Sequence, residues 1–266
     1  MVGNIRRYIK IWQLAARMQA LRLLTKPTGM FGYAAGKLLR MAFFLVFGLA
    51  LYQNTAEIAG FSRGELLVCY AFMNAVDVFS QMFFLRGLNS LQRLVQKGDF
   101  DTLLVRPMNS LFWVSVCQFD WIDFITIPGA IYYVWYAAQQ LEFDPTGFQI
   151  LLTCAIFLIS CATAYGVMLM ITAVTFYSEE TENLWWTYRD FVFSARNPAP
   201  IFPKSVQWTF TYLIPIFAII SFPAYALLGR LSVGLVVWAC VAAVLTVTIG
   251  LLLWRRGVAK YSSASS

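Results

Sequence analysis

The chain has 266 residues, 60% of them hydrophobic and only 12% charged, with a net charge of +7 and a mean hydropathy of +0.66. The charged share is about half that of an ordinary globular domain, and a soluble domain of this size could not bury so much apolar surface. Intrinsic disorder, a soluble nucleic-acid binder and a secreted disulfide scaffold are excluded, leaving an all-α integral membrane protein built as one helical bundle.

In chain order, the first 29 residues precede any apolar run of spanning length. Tyr8, Ile9, Trp12, Ala15, Ala16 and Leu23 share one helical face, and Arg6, Lys10 and Arg17 lie opposite. That pattern predicts an amphipathic helix in the membrane interface. No apolar h-region follows the basic start within the first 25 residues, so no cleavable signal is expected. Spans are then predicted at about 30–52, 65–86, 110–138 and 148–176, then 206–228 and 231–254. Each carries about the 20 apolar residues needed to cross ~30 Å of hydrocarbon.

The basic residues test this six-span order. With the N-terminus inside, the inner segments hold sixteen Lys and Arg and the outer loops hold only Arg63 and Arg230. The asymmetry places both termini in the cytoplasm. Trp and Tyr gather near the predicted span ends, among them Tyr52, Trp113, Tyr132, Trp135, Trp185 and Trp254, as in an interfacial belt. Ser262–Ser266 reads as a short solvated tail.

Little in the chain points to catalysis. There is no histidine, which removes imidazole catalysis and His-ligated metal. The five cysteines, Cys69, Cys117, Cys154, Cys161 and Cys240, fall in apolar stretches without a CxxC pair and read as packing side chains. Gly32-Tyr-Ala-Ala-Gly36-Lys37-Leu38 fails as a P-loop. It has three residues between the glycines where four are required, and Leu38 follows where Ser or Thr should. No nucleotide or cofactor is expected on this chain.

Two constellations remain. The segment 88–108 carries an apolar stripe (Leu88, Leu91, Leu94, Val95) that ends at Gly98, a residue suited to a left-handed helix stop. Asp99 or Asp101 then caps a short helix Phe100–Val105, which Pro107 ends. Two short helices lying flat on the cytoplasmic side are predicted. The second constellation is charged and intramembrane. Counted at 1.5 Å per residue from the cytoplasmic span ends, Arg40, Asp77 and Asp120 all lie about 15 Å deep, with Asp123 one turn above Asp120. Lys37 is expected to snorkel to the inner surface. Such a cluster serves as a substrate path or gate latch, as a proton relay, or as a structural lock between three helices.

Gly98-Asp99-Phe100-Asp101-Thr-Leu103-Leu104-Val-Arg106-Pro107 resembles the motif after the second span in one branch of the ABC-2-type exporter permeases. The tail, with Trp254-Arg255-Arg256-Gly257 and Tyr261-Ser262-Ser263-Ala264-Ser265, resembles that branch too, as do the basic N-terminal helix and the Pro-rich stretch before the last span. The resemblance implies a single permease domain over residues 1–266, in the bacterial cytoplasmic (inner) membrane. Two such subunits, identical or related, form the membrane half of an exporter, and separate ATPase subunits carry ATP and magnesium. The permease itself is then no enzyme, and its partners are the ATPases, a second permease and the bilayer, with no nucleic acid. By the same resemblance the loop after the second span is a coupling helix. Phe100, Leu103 and Leu104 would be its docking side chains, and Asp99, Asp101 and Arg106 its polar rim. The resemblance also moves the fifth span to Leu184–Ile201 and makes 204–230 a pair of re-entrant outer helices. The basic count then becomes thirteen inside against three outside. Hydropathy alone keeps 206–228 as a span. The rival function is a proton-coupled secondary transporter using Asp77, Asp120 and Asp123, although no duplicated half is visible.

Overall fold

The computed structural model of the chain describes residues 2–25, 27–54, 57–58, 60–178, 182–195 and 197–261. Lys26, Glu179, Glu180, Arg196 and the tail 262–266 lie outside the described residues, as do the side chains of Arg22, Tyr52, Glu182 and Trp185.

Helix α1 (Val2–Leu24) leads into α2 (Pro27–Asn54), whose 28 residues give about 42 Å of length. A two-residue antiparallel pairing, β1 (Glu57–Ile58) with β2 (Phe61–Ser62), turns the chain back. Ser62 and Glu65 then form a capping box that starts α3 (Arg63–Ser80). A π-helical turn, Gln81–Leu85, joins α3 to α4 (Arg86–Gln96), so that Arg63–Gln96 is one rod of 34 residues. The first of the two flat helices predicted after the second span is therefore the end of that span. Arg86 looks like a span terminus in sequence, but the helix runs on through Gly87 to Gln96.

Gly98, at φ 71°, makes the predicted left-handed stop, and the predicted short helix follows as α5 (Asp99–Leu104), starting at Asp99 on Gly98 without the side-chain cap expected from Asp99 or Asp101. The predicted third span is two helices, α6 (Ser110–Val116) and α7 (Trp121–Gln139), bent by 55°. The break has a local cause: Asp120 caps α7 by accepting from the Ile122 amide at 3.0 Å. Helix α8 (Gly147–Ala173) starts on a capping box of Thr146 and Gln149, and α13 (Val233–Lys260) is capped by Ser232. Between them lie α9 (Glu182–Ser194), α10 (Lys204–Trp208) with a π-helical turn to Leu213, α11 (Ile216–Ile220) and α12 (Phe222–Leu227). Residues 206–228 are thus not the single helix that hydropathy favours, because Pro215 and Pro223 interrupt it.

Among the described residues three helices are long and apolar enough to cross a membrane, or four if α6 and α7 count as one broken span. The α3–α4 rod is central: Leu66 through Met73 are all buried. Helices α8 and α13 pack closely, and a Cβ on Gly166 would meet the Thr246 backbone at 2.6 Å. Outward, Leu151, Leu158, Val237, Val244 and Leu252 are exposed, an apolar surface that only hydrocarbon or another apolar partner would cover. Helices α11 and α12 are wholly buried, and Ser160 donates to the Ala218 carbonyl at 2.6 Å. Broken backbone at membrane depth is tolerated only where protein covers it in this way.

The two ends of the bundle sort cleanly. At one end Arg230 pairs with Glu65 at 2.7 Å and donates to the Gly60 carbonyl at 2.7 Å, while Gly64 abuts the Gln140 carbonyl. At the other end Arg7 donates to the Pro107 carbonyl at 2.7 Å, and α5 meets the end of α13. Helix α1 packs on this second end. Its Tyr8 meets Phe112 at 4.8 Å, Trp12 meets Phe119 at 5.9 Å, and its Ala16 carbonyl accepts from Trp121. The face read as lipid-facing thus covers the α6–α7 break. Ile5, Ile9, Leu14, Met18, Leu21 and Leu24 are large apolar side chains of α1 that stay exposed.

Candidate functional site

The intramembrane charges are gathered, but in two linked groups. Arg40 of α2 meets Asp77 of α3 at 3.4 Å, both about one-third exposed, and Gln81 donates to Asp77 at 2.8 Å. The other group is buried except for Arg86, whose side chain is 43% exposed. Lys37 lies 3.0 Å from Asp120 and 2.6 Å from Asp123, and Arg86 reaches Asp120 at 3.1 Å. The Tyr33 hydroxyl donates to the same Asp120 oxygen at 3.5 Å. Lys37 therefore does not snorkel to the surface; it is 7% exposed and bridges two carboxylates. Two charges taken out of water need each other, and each carboxylate here has a cation.

Two interruptions of helical structure dock to make this possible. The α6–α7 break frees the Asp120 amide, which donates to the Met82 carbonyl at 3.2 Å in the π-helical turn of the neighbouring rod. One turn further along that rod, Gly87 lets α6 approach: a Cβ there would overlap the Val114 carbonyl oxygen. Sequence reasoning missed Lys37, Arg86 and Tyr33 as members of the cluster. Lys37 precedes Arg40 by three residues, as Asp120 precedes Asp123. These matched one-turn pairs were a signal for it.

Both groups face a cavity of about 1290 Å³ bounded by α2, the α3–α4 rod, the start of α7 and α9. Its polar lining includes Gln81, Asn89, Arg93 and Arg189, and its apolar lining Phe43, Phe44, Phe47 and Phe193.

The second feature is α5. Phe100 is fully buried, its ring centroid 5.4 Å from Phe176, 6.1 Å from Trp254 and 5.3 Å from Tyr261. Leu103 is buried as well. These two side chains face the bundle and not a partner, which corrects their assignment as docking anchors. Leu104 and Val105 are exposed, at 40% and 85%. Asp99 and Arg106 are exposed beside them, Asp101 is half-buried, and the Arg106 guanidinium lies over Trp113 at 5.3 Å. Burial and the Asp101 carboxylate push the Tyr261 phenol above its usual range. The two sequence motifs around Phe100 and Trp254 thus meet in space as one aromatic box.

A bundle of apolar, outward-greasy helices around a charged internal cavity defines a multi-pass membrane protein. The chain matches the family model for "ABC-2 family transporter protein" over residues 38–265 and belongs to that family. Comparison with curated proteins and with solved structures finds no match. Membrane chains of this family are generally transport components without enzymatic activity, and they normally work with an ABC ATPase.

Proposed function

We propose that the chain is the permease subunit of an ATP-driven exporter in the bacterial inner membrane, with both termini cytoplasmic. A separate ATPase subunit holds ATP and magnesium, and a second permease, identical or related, completes the membrane half. Six crossings are made by α2, the α3–α4 rod, α6–α7, α8, α9 and α13, and residues 204–230 re-enter from the outer side. The burial of α11 and α12 and the Arg230–Glu65 pair at the outer end support that path.

One observation carries the coupling role. Helix α5 is short, locked into the bundle by Phe100, and presents Leu104 and Val105 to solvent at the end where α1 and the end of α13 also lie. An ATPase that seats on those side chains moves a helix that cannot slip in its socket, so displacement passes into the rod and α13. Asp99, Asp101 and Arg106 form the polar rim that sets register.

The cavity beside α2 is the proposed substrate path, and the charge cluster is its wall. The carboxylates also motivate the rival reading, a proton-coupled carrier. Full pairing of all three acids with Lys37, Arg86 and Arg40 favours a lock between α2, α4 and α7 over a proton relay. The test is Asp120→Asn in proteoliposomes with the co-expressed ATPase. Transport that keeps its ATP dependence and ignores an imposed pH gradient supports the exporter. Transport that follows the pH gradient without ATP and is lost in the variant overturns it.

A further inference from the structure

The charges around the cavity do not balance. Four cations stand on or directly behind its wall: Lys37, Arg40, Arg86 and Arg93. Three carboxylates oppose them: Asp77, Asp120 and Asp123. Lys37, Arg40 and Arg86 are tied to those acids at 2.6–3.4 Å, and Arg93 has no acid at ion-pair distance among the described residues. Arg86, Asn89 and Arg93 fall at i, i+3 and i+7, a stripe on one face of α4. Arg93 stands one turn from the inner end of the rod, and Arg86 about 15 Å deeper than Gln96.

Polarity is graded along this wall and its opposite. Helix α2 runs the other way, from Tyr33 and Gly36 at the inner end through Arg40 to Phe43, Phe44 and Phe47. On the α3–α4 rod the polar Gln81 and Asp77 give way to Val76 and Met73 in the outward direction. Both walls are polar and net positive toward the inner end and apolar beyond it. The volume, about 1290 Å³, exceeds the ~300–1,000 Å³ of sites for drug-sized ligands.

We propose that the cavity takes an anionic amphipath drawn from the inner leaflet, its headgroup on the Arg93–Asn89–Arg86 stripe and its hydrocarbon along Phe43, Phe44 and Phe47. A lipid in the inner leaflet already has this orientation, so entry needs no inversion. The excess positive charge selects an anionic head over a zwitterionic one, and the aromatic wall selects an amphipath over a free anion. The proposal rests on the transport reading for its meaning, but its binding test does not require an ATPase.

The test uses the full chain in detergent, titrated with phosphatidylglycerol and with phosphatidylcholine of the same acyl chains, and read by native mass spectrometry. Gly36 lines the cavity, and a Cβ there meets nothing within 4 Å, so the side chain of Gly36→Trp starts in open space and takes up cavity volume. The wild type is expected to prefer phosphatidylglycerol. Arg93→Gln weakens that lipid about tenfold by loss of one charge-assisted contact and leaves phosphatidylcholine unchanged. Gly36→Trp weakens both. Arg6→Gln with Lys10→Gln, on the exposed face of α1, leaves the preference intact.

Equal affinity for the two lipids overturns the proposal, as does binding untouched by Gly36→Trp, which would put the lipid on the outer surface. Displacement by glycerol phosphate at concentrations like those of the lipid would mark a free-anion site and also overturn it. A cavity closed by a second copy of the chain would show no saturable lipid binding. Co-purification with an ATPase is scored separately. Headgroup preference without an ATPase leaves the lipid site standing and removes the exporter reading, and an ATPase without the preference removes only this proposal.

Discussion

The rings of Phe100 and Tyr261 stand 5.3 Å apart and perpendicular, at 90°, although 161 positions separate them in sequence. Phe176 and Trp254 close the same box, at 5.2 Å from each other. One contact therefore joins the short helix after the α3–α4 rod to the end of the last helix.

Phe100→Ala is expected to cost about 3–5 kcal/mol, the range for truncating a buried phenylalanine. The reading is a lowered thermal midpoint in detergent. Leu104→Ala, on the exposed flank of the same helix, should leave that midpoint within about 0.5 kcal/mol of wild type. Equal loss in both variants would contradict the placement of the two faces of α5.

Lys37 holds two buried carboxylates. Lys37→Met leaves Asp123 with no cation at ion-pair distance, and removing one partner of a buried pair costs about 3–5 kcal/mol. Replacing the acid as well, in Lys37→Met with Asp123→Leu, should recover most of the loss, because an apolar pair of similar volume is often neutral. A thermal midpoint that fails to recover in the double variant would show that packing, not charge, fixes the site.

Gly87→Ala should destabilise the rod against α6, since the added methyl meets the Val114 carbonyl oxygen and not a yielding side chain. Backbone cannot give way cheaply, so the cost is expected at about 1–3 kcal/mol, that of overpacking. Gly32→Ala is the control: α2 has open space there, and alanine favours the helix by about 0.8–1 kcal/mol. The comparison is read by thermal unfolding of the two variants side by side.

Sidedness has its own check. Lys97→Cys sits at the end shared by α1 and α5, and Gln140→Cys at the end of the Arg230–Glu65 pair. A membrane-impermeant maleimide added to intact cells should label the second and spare the first until the membrane is opened. The reverse pattern would invert the topology.

Much of this was legible in the residues. Gly98 marked the stop before α5. Arg40, Asp77 and Asp120 could be placed near one depth because their spacing along the spans is simple. The break at Asp120 was hidden by an apolar run on both sides, within which one carboxylate stops a helix by capping the next. The facing of α5 was hidden for another reason. Phe100, Leu103 and Leu104 are spaced to share one helical stripe, and spacing says which side chains go together, not whether the chain's own bundle or a partner covers them. Burial of Phe100 and Leu103 settles that for two of the three; the exposed apolar surface passes to Leu104 and to Val105, which periodicity had left unassigned.

The central claim is that an ATPase seats on α5. The most direct measurement is co-purification of the tagged chain from its native host, with Leu104→Asp and Val105→Asp combined in one variant. Both side chains are exposed, so the variant should reach the membrane at wild-type amounts. A P-loop ATPase that accompanies the wild type in stoichiometric amount and is lost from the variant is the predicted result. An ATPase retained equally by both, or none with the wild type in repeated preparations, would contradict it.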